Sequence, residues 1–362
     1  MGCYNVIDYP LMRVVSPLLK RVVYPALHHS GCLSRITPPR GYAVVNYHGV
    51  IPSDYNASEP FLDGNLVHPA VFRQQLQFLK AHYNVIRPED FRARIEHGKP
   101  LPPRAVLLTC DDGLLNTLTD MLPVLQSEGL SCLFFVIAAS CGNRSGMLWY
   151  EELYQLMRNR PLAGSDLELP AESGTKEART NSSASETFQS RWWSAVRSAS
   201  RLNAGGRAEW MQHVRRHCGP LQALRSERRW RVLTICELRQ LAQARMTVGA
   251  HTLSHPVLSL CTEDEARREI QQSKLDLEHA LGQSVWAFAY PFGNPATMGQ
   301  RELRSAQQAG FSCAFVNVER WDGEFSNPFA LPRIHVNYDM TLPEFAAHLS
   351  GLHSRLQRAV GA

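Results

Sequence analysis

The stretch LLTCDDGLLNTL, residues 107–118, decides the fold of this 362-residue chain. An apolar run that starts at Ala105 leads into two adjacent acids, Asp111 and Asp112, and Gly113 follows at once. This pattern predicts a buried strand that ends in two carboxylates at a tight turn. Because neighbouring like charges repel, the pair requires a cation or a shared proton close by.

A second stretch, GAHTLSHPVLS at residues 249–259, supplies two histidines four positions apart, His251 and His255. One aspartate and two histidines are the ligand set of an open metal site, and the other aspartate is left to act as a base. Imidazole and carboxylate ligands suit zinc and similar divalent ions. The two stretches together therefore predict a catalytic divalent metal, with zinc as the first choice.

The motifs TCDDG and HTLSH, in this order and each at the end of a strand-like run, resemble the first two motifs of the polysaccharide deacetylase family, the NodB-type carbohydrate esterases. The resemblance extends over residues 42–336 and excludes most of residues 143–231. It implies a metal-dependent hydrolase of N-acetyl groups, with Asp111 as general base and Asp112, His251 and His255 as metal ligands. Local chemistry agrees, because a carboxylate beside an activated water can take its proton.

Two later motifs extend the resemblance. YPFG, residues 290–293, resembles the third motif, which implies substrate contacts from Tyr290 and Phe292 and an oxyanion donor in the backbone N–H near Phe292. At the position of Ala289, many relatives carry an arginine that orients the base. The exopolysaccharide-modifying branch lacks this arginine, as does the present sequence. How Asp111 is held is therefore open at this point.

LPRIH, residues 331–335, resembles the last motif, where a histidine protonates the leaving amine. His335 is accordingly the predicted general acid, and the alternative is a strand histidine that faces solvent or a helix. Arg333 either holds the base or binds substrate.

A Tyr-His pair ends the first barrel strand in similar exopolysaccharide deacetylases, so His48 is expected to line the pocket. The alternative is a histidine bonded to backbone.

Apolar runs alternate with helical spacing along most of the chain, which predicts parallel βα units. Each candidate site residue follows a predicted strand, as in a (β/α) barrel, whose active site lies at the carboxyl ends of the strands. We predict an α/β fold, a distorted (β/α) barrel of about seven strands with a long helical and loop insertion. The predicted strands are 42–47, 85–86, 105–109, 131–138, 246–250, 285–290, 311–316 and 330–336. The predicted divisions are a basic N-terminal arm (1–40), the barrel (41–340) with its insertion (143–231), and a C-terminal helix (341–362).

The formal net charge of +5 is unevenly spread. Residues 1–40 carry +4 and residues 190–231 carry +8, which leaves −7 for the remainder. Basic regions on an acidic body favour an anionic partner, such as lipid headgroups or a phosphate-linked sugar. The arm either lies on a membrane surface or packs on its own domain. The arginine- and tryptophan-rich part of the insertion, 191–231, is either a lid over an anionic substrate or a helical excursion packed on the barrel.

The sequence has nine scattered cysteines, no convincing export signal and no uncharged run of the roughly 20 residues that span a bilayer. We therefore expect a cytoplasmic chain associated with a membrane surface, acting on a glycan or lipid-linked sugar, with no nucleic-acid partner. The leading hypothesis is a deacetylase of amino sugars in a cell-envelope or exopolysaccharide glycan. The alternatives are an amidase of a non-sugar C–N bond and a catalytically silent glycan-binding assembly protein.

Overall fold

The computed structural model describes residues 17–36, 41–57, 60–138, 146–159, 187–219, 221, 226–319 and 327–361. Its strands are β1 (Tyr42–Tyr47), β2 (Asn84–Ile86), β3 (Ala105–Cys110), β4 (Leu133–Val136), β5 (Thr247–Ala250), β6 (Ala287–Ala289), β7 (Cys313–Phe315) and β8 (Ile334–His335). Its α-helices are α1 (Tyr24–His29), α2 (Pro60–Asp63), α3 (Pro69–His82), α4 (Pro88–His97), α5 (Leu122–Glu128), α6 (Trp149–Asn159), α7 (Phe188–Ala199), α8 (Ala204–Cys218), α9 (Glu227–Trp230), α10 (Ile235–Gln243), α11 (Glu263–Leu281), α12 (Gln300–Gln308), α13 (Leu342–Leu349) and α14 (Leu352–Gly361).

All the named strands belong to one parallel sheet. Seven of them follow the order β7-β6-β5-β4-β3-β1-β8, and β2 pairs with β3 outside this order. Strand β3 is fully buried and pairs along its whole length with β1 on one side. On its other side it pairs with β2 along its first half and with β4 at its end. The predicted strand over 105–109 is therefore the centre of the sheet, as its uninterrupted apolar run indicates.

An irregular closure makes the barrel distorted. The backbone N–H of Leu331 donates to the backbone oxygen of Ala314 in β7, and the backbone N–H of Val336 donates to that of Asn46 in β1. One short segment thus touches both ends of the strand order. Its predicted strand, 330–336, is reduced to Ile334–His335, because Pro332 lacks an N–H and interrupts the ladder. The distorted (β/α) barrel of about seven strands is confirmed.

Three helices begin at threonine residues whose sequence context is that of a helix N-cap. Thr234, Thr262 and Thr341 each accept a hydrogen bond from the backbone N–H three residues on. The predicted helix over 116–128 differs, since it begins as a π-helix at Thr117–Met121 before α5. Pro123 lies in the first turn of α5 and cannot donate to the residue four before it, so the wider turn accommodates it.

The described part of the insertion has a hydrophobic core of its own. Trp192, Trp210 and Trp230 are buried there together with apolar residues of α6, α7 and α8. These tryptophans pack mainly among the insertion's own helices, whereas the helical-excursion alternative placed them on the barrel. Residues 163–190 are rich in serine, threonine, alanine, glycine and glutamate, a composition that predicts a flexible loop, and they lie largely outside the described residues.

The described end of the N-terminal arm packs against the C-terminal helices. Tyr24 is fully buried, and its hydroxyl is 2.9 Å from Nδ1 of His353. Lys20 pairs with Glu344 at 2.8 Å. Leu18 and Val22 remain more than half exposed. Within the described ranges, no helix has both the length and the apolar character that crossing a bilayer requires.

Candidate active site

Three predicted ligands converge at the carboxyl end of the barrel. Oδ1 of Asp112 lies 3.5 Å from Nε2 of His251 and 3.4 Å from Nε2 of His255. All three residues are buried, and their ligand atoms lie within 4.8 Å of one another. The two stretches that are 140 positions apart in sequence meet because β3 and β5 both flank β4.

The local bonding of these side chains fits a metal ion. Nδ1 of His251 lies 2.7 Å from the backbone oxygen of Ala289, so Nδ1 carries the hydrogen and Nε2 presents its lone pair to the site. Oδ1 of Asp112 is buried without a hydrogen-bond partner. A buried carboxylate oxygen without a donor is costly, and a cation between the three ligands would satisfy it.

The backbone around the ligands is strained. Asp112 has a φ of 72°, and the backbone N–H of Gly113 donates to the backbone oxygen of Asp111 two residues before. Phe292 has a φ of 60° in a similar turn, where Gly293 donates to Pro291. Such three-residue turns with positive φ at a non-glycine residue are rare and cluster at functional sites. They aim Asp112 and Phe292 at the space beside the two histidines.

Glu269 holds the turn that carries the second histidine. Although it belongs to α11, it is 1% exposed, and its carboxylate accepts the backbone N–H groups of Leu253 and Ser254, each at 2.9 Å. It also accepts the Ser254 hydroxyl at 2.6 Å. Charge-assisted bonds of this kind fix a loop firmly, so the separation between His251 and His255 is set from outside the motif.

Asp111 is held by a buried arginine. Arg333 donates to Oδ1 and Oδ2 of Asp111 in a bidentate pair, both bonds at 2.7 Å. Asn46 donates to the same Oδ2 at 3.0 Å. Arg333 also donates to Asn46 and packs over Phe135. The side chain of Arg333 is fully buried and bonded to the acid, so its geometry favours the base-holding alternative over substrate contact.

This pairing determines the charge state of Asp111. Burial by itself raises the pKa of this carboxyl, but the charge of Arg333 and the nearby His251 more than offset it, and the pKa lies below the ordinary value. Asp111 is therefore ionised at neutral pH and available as a proton acceptor.

The two candidate acids occupy different positions. His48 lines the cleft, with Nε2 4.0 Å from Oδ2 of Asp111 and with Nδ1 buried without a partner. The His335 ring lies 5.0 Å from the His48 ring, on the side of Asn317, and it is not part of the described cleft wall. Burial and His48 lower the pKa of His335 to about 3, so its imidazole is neutral at pH 7.

The third motif contributes one residue to the cleft rather than two. The Phe292 ring packs on His255 at 4.9 Å and lines the cleft. Tyr290 is fully buried, and its hydroxyl donates to the backbone oxygen of Phe329 at 3.0 Å. The predicted substrate contact of Tyr290 is not supported by this geometry, because the aromatic ring is part of the barrel core against Phe288.

An open cleft of about 880 Å³, part of it bulk solvent, leads to these residues. The barrel side of its wall is formed by the candidate ligands and base, with His48 and Asn317. The other side comes from the insertion, through Tyr150, Glu151, Trp192 and Trp193. The insertion therefore shapes the site directly.

Comparison with known proteins identifies the relationship. A family model described as polysaccharide deacetylase matches residues 229–314, which include the HTLSH and YPFG motifs. This part of the chain is similar to the polysaccharide deacetylases. A stretch of 91 residues is 32% identical to the poly-beta-1,6-N-acetyl-D-glucosamine N-deacetylase of Escherichia coli K12. That stretch covers 25% of this chain and only 13% of the length of the E. coli protein.

Solved structures of two other proteins share the fold. The deacetylase PplD of Streptococcus pyogenes, in complex with acetate, superimposes with a TM-score of 0.54 at 17% identity. That comparison covers 86% of this chain and 99% of PplD. IcaB from Ammonifex degensii gives a TM-score of 0.52 at 18% identity, covering 86% of this chain and 97% of IcaB. At these identities the likeness establishes the barrel architecture alone.

Sequence reasoning missed three polar residues of this polysaccharide deacetylase relative. Asn46 and Asn317 bond to each other at 3.1 Å and join the Asp111 network to the cleft wall. Each is a polar residue at the end of an apolar strand run, YAVVNY and FSCAFVN, and that interruption was the available signal. Glu151 had no comparable signal, because an acid in the first turn of a helix is ordinary.

Some arginines of the insertion are neutralised by acids, which the charge count did not reveal. Four of them pair with acids. These pairs are Arg215 with Glu152, Arg228 with Asp54 and Asp120, Arg229 with Asp63 and Glu151, and Arg231 with Glu237. Only Arg229 reaches the cleft wall among the described arginines, and it is 1% exposed. The described wall thus offers no free basic cluster to an anionic substrate.

Proposed function

We propose that the chain is a metal-dependent deacetylase that hydrolyses N-acetyl groups of amino sugars in an exopolysaccharide or cell-envelope glycan, or in its precursor. The observation that carries this proposal is the pairing of an Asp112, His251 and His255 ligand set with a second, ionised carboxylate locked beside it at the end of an open cleft. The relationship to an N-deacetylase of a poly-N-acetylglucosamine supports the substrate class.

Asp112, His251 and His255 would hold the ion, and their carboxylate and imidazole donors suit zinc. When bound, a divalent ion polarises the acetyl carbonyl and lowers the pKa of water. Asp111 accepts the proton of the attacking water, since it is ionised and held in one orientation by Arg333. The backbone N–H near Phe292 is proposed to stabilise the developing oxyanion.

Collapse of the tetrahedral intermediate requires a proton on the leaving nitrogen, because an amine anion is a poor leaving group. His48 lines the cleft with Nε2 4.0 Å from Oδ2 of Asp111, and this placement supports it as the residue that takes the proton that Asp111 accepted from water and passes it to nitrogen. His335, the acid expected from the last motif, lies behind His48 and remains the competing candidate. Arg333 is proposed as a positioning residue for the base.

The absence of an arginine at the third motif is the sequence feature that favours a catalytically silent glycan-binding protein. Arg333 comes from a different strand and makes the bidentate contact to the base, so that argument no longer favours loss of catalysis. The cytoplasmic, membrane-surface location and the lipid-linked substrate remain predictions.

A substrate panel tests the proposal. We expect acetate release from β-1,6-linked N-acetylglucosamine oligomers, loss of release after chelation, and recovery when zinc is returned. Small cyclic amides serve as the contrasting substrates. Turnover of those amides without acetate release from any glycan would favour the amidase, and glycan binding with no turnover in the metal-loaded protein would favour the silent binder.

A further inference from the structure

Arg229 ties two acids to the insertion side of the cleft. The guanidinium is 1% exposed and donates to Oδ1 of Asp63 at 2.7 Å, to Oε1 of Glu151 at 3.0 Å, and to the backbone oxygen of Leu62 at 3.1 Å. It also stacks over Trp230, 4.1 Å from the ring centroid. One arginine thus serves two buried carboxylates, which leaves the trio with one excess negative charge.

The two acids of the trio differ in how their oxygens are used. Asp63 is fully engaged, because the Tyr55 hydroxyl lies 3.2 Å from Oδ1 and 3.0 Å from Oδ2. Glu151 is 4% exposed, and its Oε2 is buried with no hydrogen-bond partner. Glu151 lines the cleft and Asp63 does not. The acid that has the spare acceptor oxygen is therefore the one that borders the cleft.

An unpartnered anionic oxygen in a buried position is unfavourable. Burial raises the pKa of Glu151 to about 7 in spite of Arg229, which reflects this cost. Native proteins keep such groups where a water, an ion or a ligand completes their hydrogen bonds. In the ionised form of Glu151, a ligand that reaches Oε2 has to donate a hydrogen.

Aromatic rings surround this acceptor. Tyr150 precedes Glu151, lines the cleft, and lies 5.5 Å from the ring of the candidate metal ligand His255. Trp193 lines the same wall and packs against Trp192 at 4.3 Å. Trp192 donates to the backbone oxygen of Tyr150 at 2.9 Å, which fixes α7 to the start of α6. Flat apolar faces beside a hydrogen-bond acceptor match a pyranose ring, with its C–H faces and its rim of donors.

We infer that Glu151, Tyr150 and Trp193 form a subsite that holds a second sugar ring, adjacent to the ring being deacetylated, with Oε2 of Glu151 accepting a hydrogen bond from a hydroxyl or amide N–H of that ring. Tyr150 lies 5.5 Å from the ring of the candidate metal ligand His255, which puts this side of the subsite next to the ring being deacetylated. This inference rests on the proposed function, because it assumes a glycan in the cleft. It predicts that the substrate is an oligosaccharide rather than a monosaccharide.

Calorimetric binding of a β-1,6-linked N-acetylglucosamine pentamer tests the subsite. Glu151→Gln keeps the size of the side chain and replaces an acceptor with an amide that can turn its donor to the ligand. Hydrogen bonds to charged groups predict a roughly 10- to 100-fold weaker Kd for this variant. Asp63→Asn is the matched control, since it disturbs the same arginine without touching the cleft, and its Kd should stay within about threefold of the wild type.

Steady-state kinetics provide the second readout. Glu151→Gln should raise KM for the pentamer much more than it lowers kcat, with metal content unchanged. Trp193→Ala should weaken binding about tenfold and gives a second test if Glu151→Gln folds poorly. Wild-type affinity in both variants, or equal losses in Glu151→Gln and Asp63→Asn, would reduce Glu151 to a structural ion pair.

Acetate release by the wild type separates the two levels of the claim. If the wild type releases acetate from the pentamer and Glu151→Gln binds it normally, the subsite alone is refuted. If the wild type neither binds the pentamer nor releases acetate from it, the proposed glycan substrate is refuted and the subsite with it.

Discussion

Arg333→Lys is the substitution that most sharply probes how the base is held. Arg333 spans Asp111 with two bonds of 2.7 Å from a fully buried side chain. Lysine keeps the positive charge, but it lacks the planar fork that reaches both oxygens, so at least one charge-assisted bond is lost. Such a bond is worth about 1.5–3 kcal/mol, which corresponds to a loss of roughly 10- to 150-fold in kcat/KM.

The pH profile supplies a second, independent sign. Arg333 lowers the pKa of Asp111, so a weaker contact raises that pKa and leaves more of the base protonated at any given acidic pH. The acid limb of kcat/KM should therefore move to higher pH in Arg333→Lys, while metal content stays at the wild-type level.

Arg231→Lys is the control for both measurements. This arginine also makes a bidentate pair with a carboxylate, that of Glu237, but it neither contacts the base nor lines the cleft. Its substitution should lower the melting temperature without lowering kcat/KM or moving the acid limb. An Arg333→Lys variant with an unshifted acid limb and wild-type kcat/KM would refute the assignment of Arg333 as the positioning residue.

Three further predictions concern single groups. Asp111→Asn should retain metal and lose roughly 10²–10⁴-fold in kcat, because its amide cannot accept a proton; wild-type turnover would remove it as the base. His48→Ala should lose more kcat on an amide than on an acetate ester, whose leaving group departs more easily, while a larger loss in His335→Ala would return the acid role to the last motif. Burial opposes protonation of His348, but Glu319 raises the pKa of His348 to about 9 from 6.5. The stabilising contribution of protonated His348 is therefore complete below pH 6.5 and lost as the pH rises through 9. The difference in melting temperature between the wild type and His348→Gln should shrink across that window, and a constant difference would contradict the pairing.

The barrel was predictable because its signals are local and redundant. The run that ends at Asp111 is apolar throughout, as befits a strand covered on both faces. Threonine caps fixed the starts of α10, α11 and α13. Strand ends near the site were less accurate, since the segment around Ile334–His335 is shaped by closure of the barrel rather than by its own pattern.

The candidate site was predictable only where a motif marked it. Asp112, His251 and His255 meet as expected. For Arg333 the sequence left two roles open, and its contact with Asp111 follows only from the placement of the two strand ends in the fold. Glu151 and Trp193 reach the cleft through packing of the insertion on the barrel, which no local pattern encodes. The +8 charge of residues 190–231 suggested an anionic partner, but Asp54, Asp63 and Glu237 outside that segment neutralise several of its arginines.

The most direct test of the account is a zinc titration of the metal-free protein, followed by acetate release from the β-1,6-linked N-acetylglucosamine pentamer. We predict that the rate rises linearly and breaks at one ion per chain in the wild type, and that His255→Ala shows neither the break nor the activity. Full activity in the chelated wild type, or an unchanged break in His255→Ala, would contradict the claim that Asp112, His251 and His255 hold the catalytic ion.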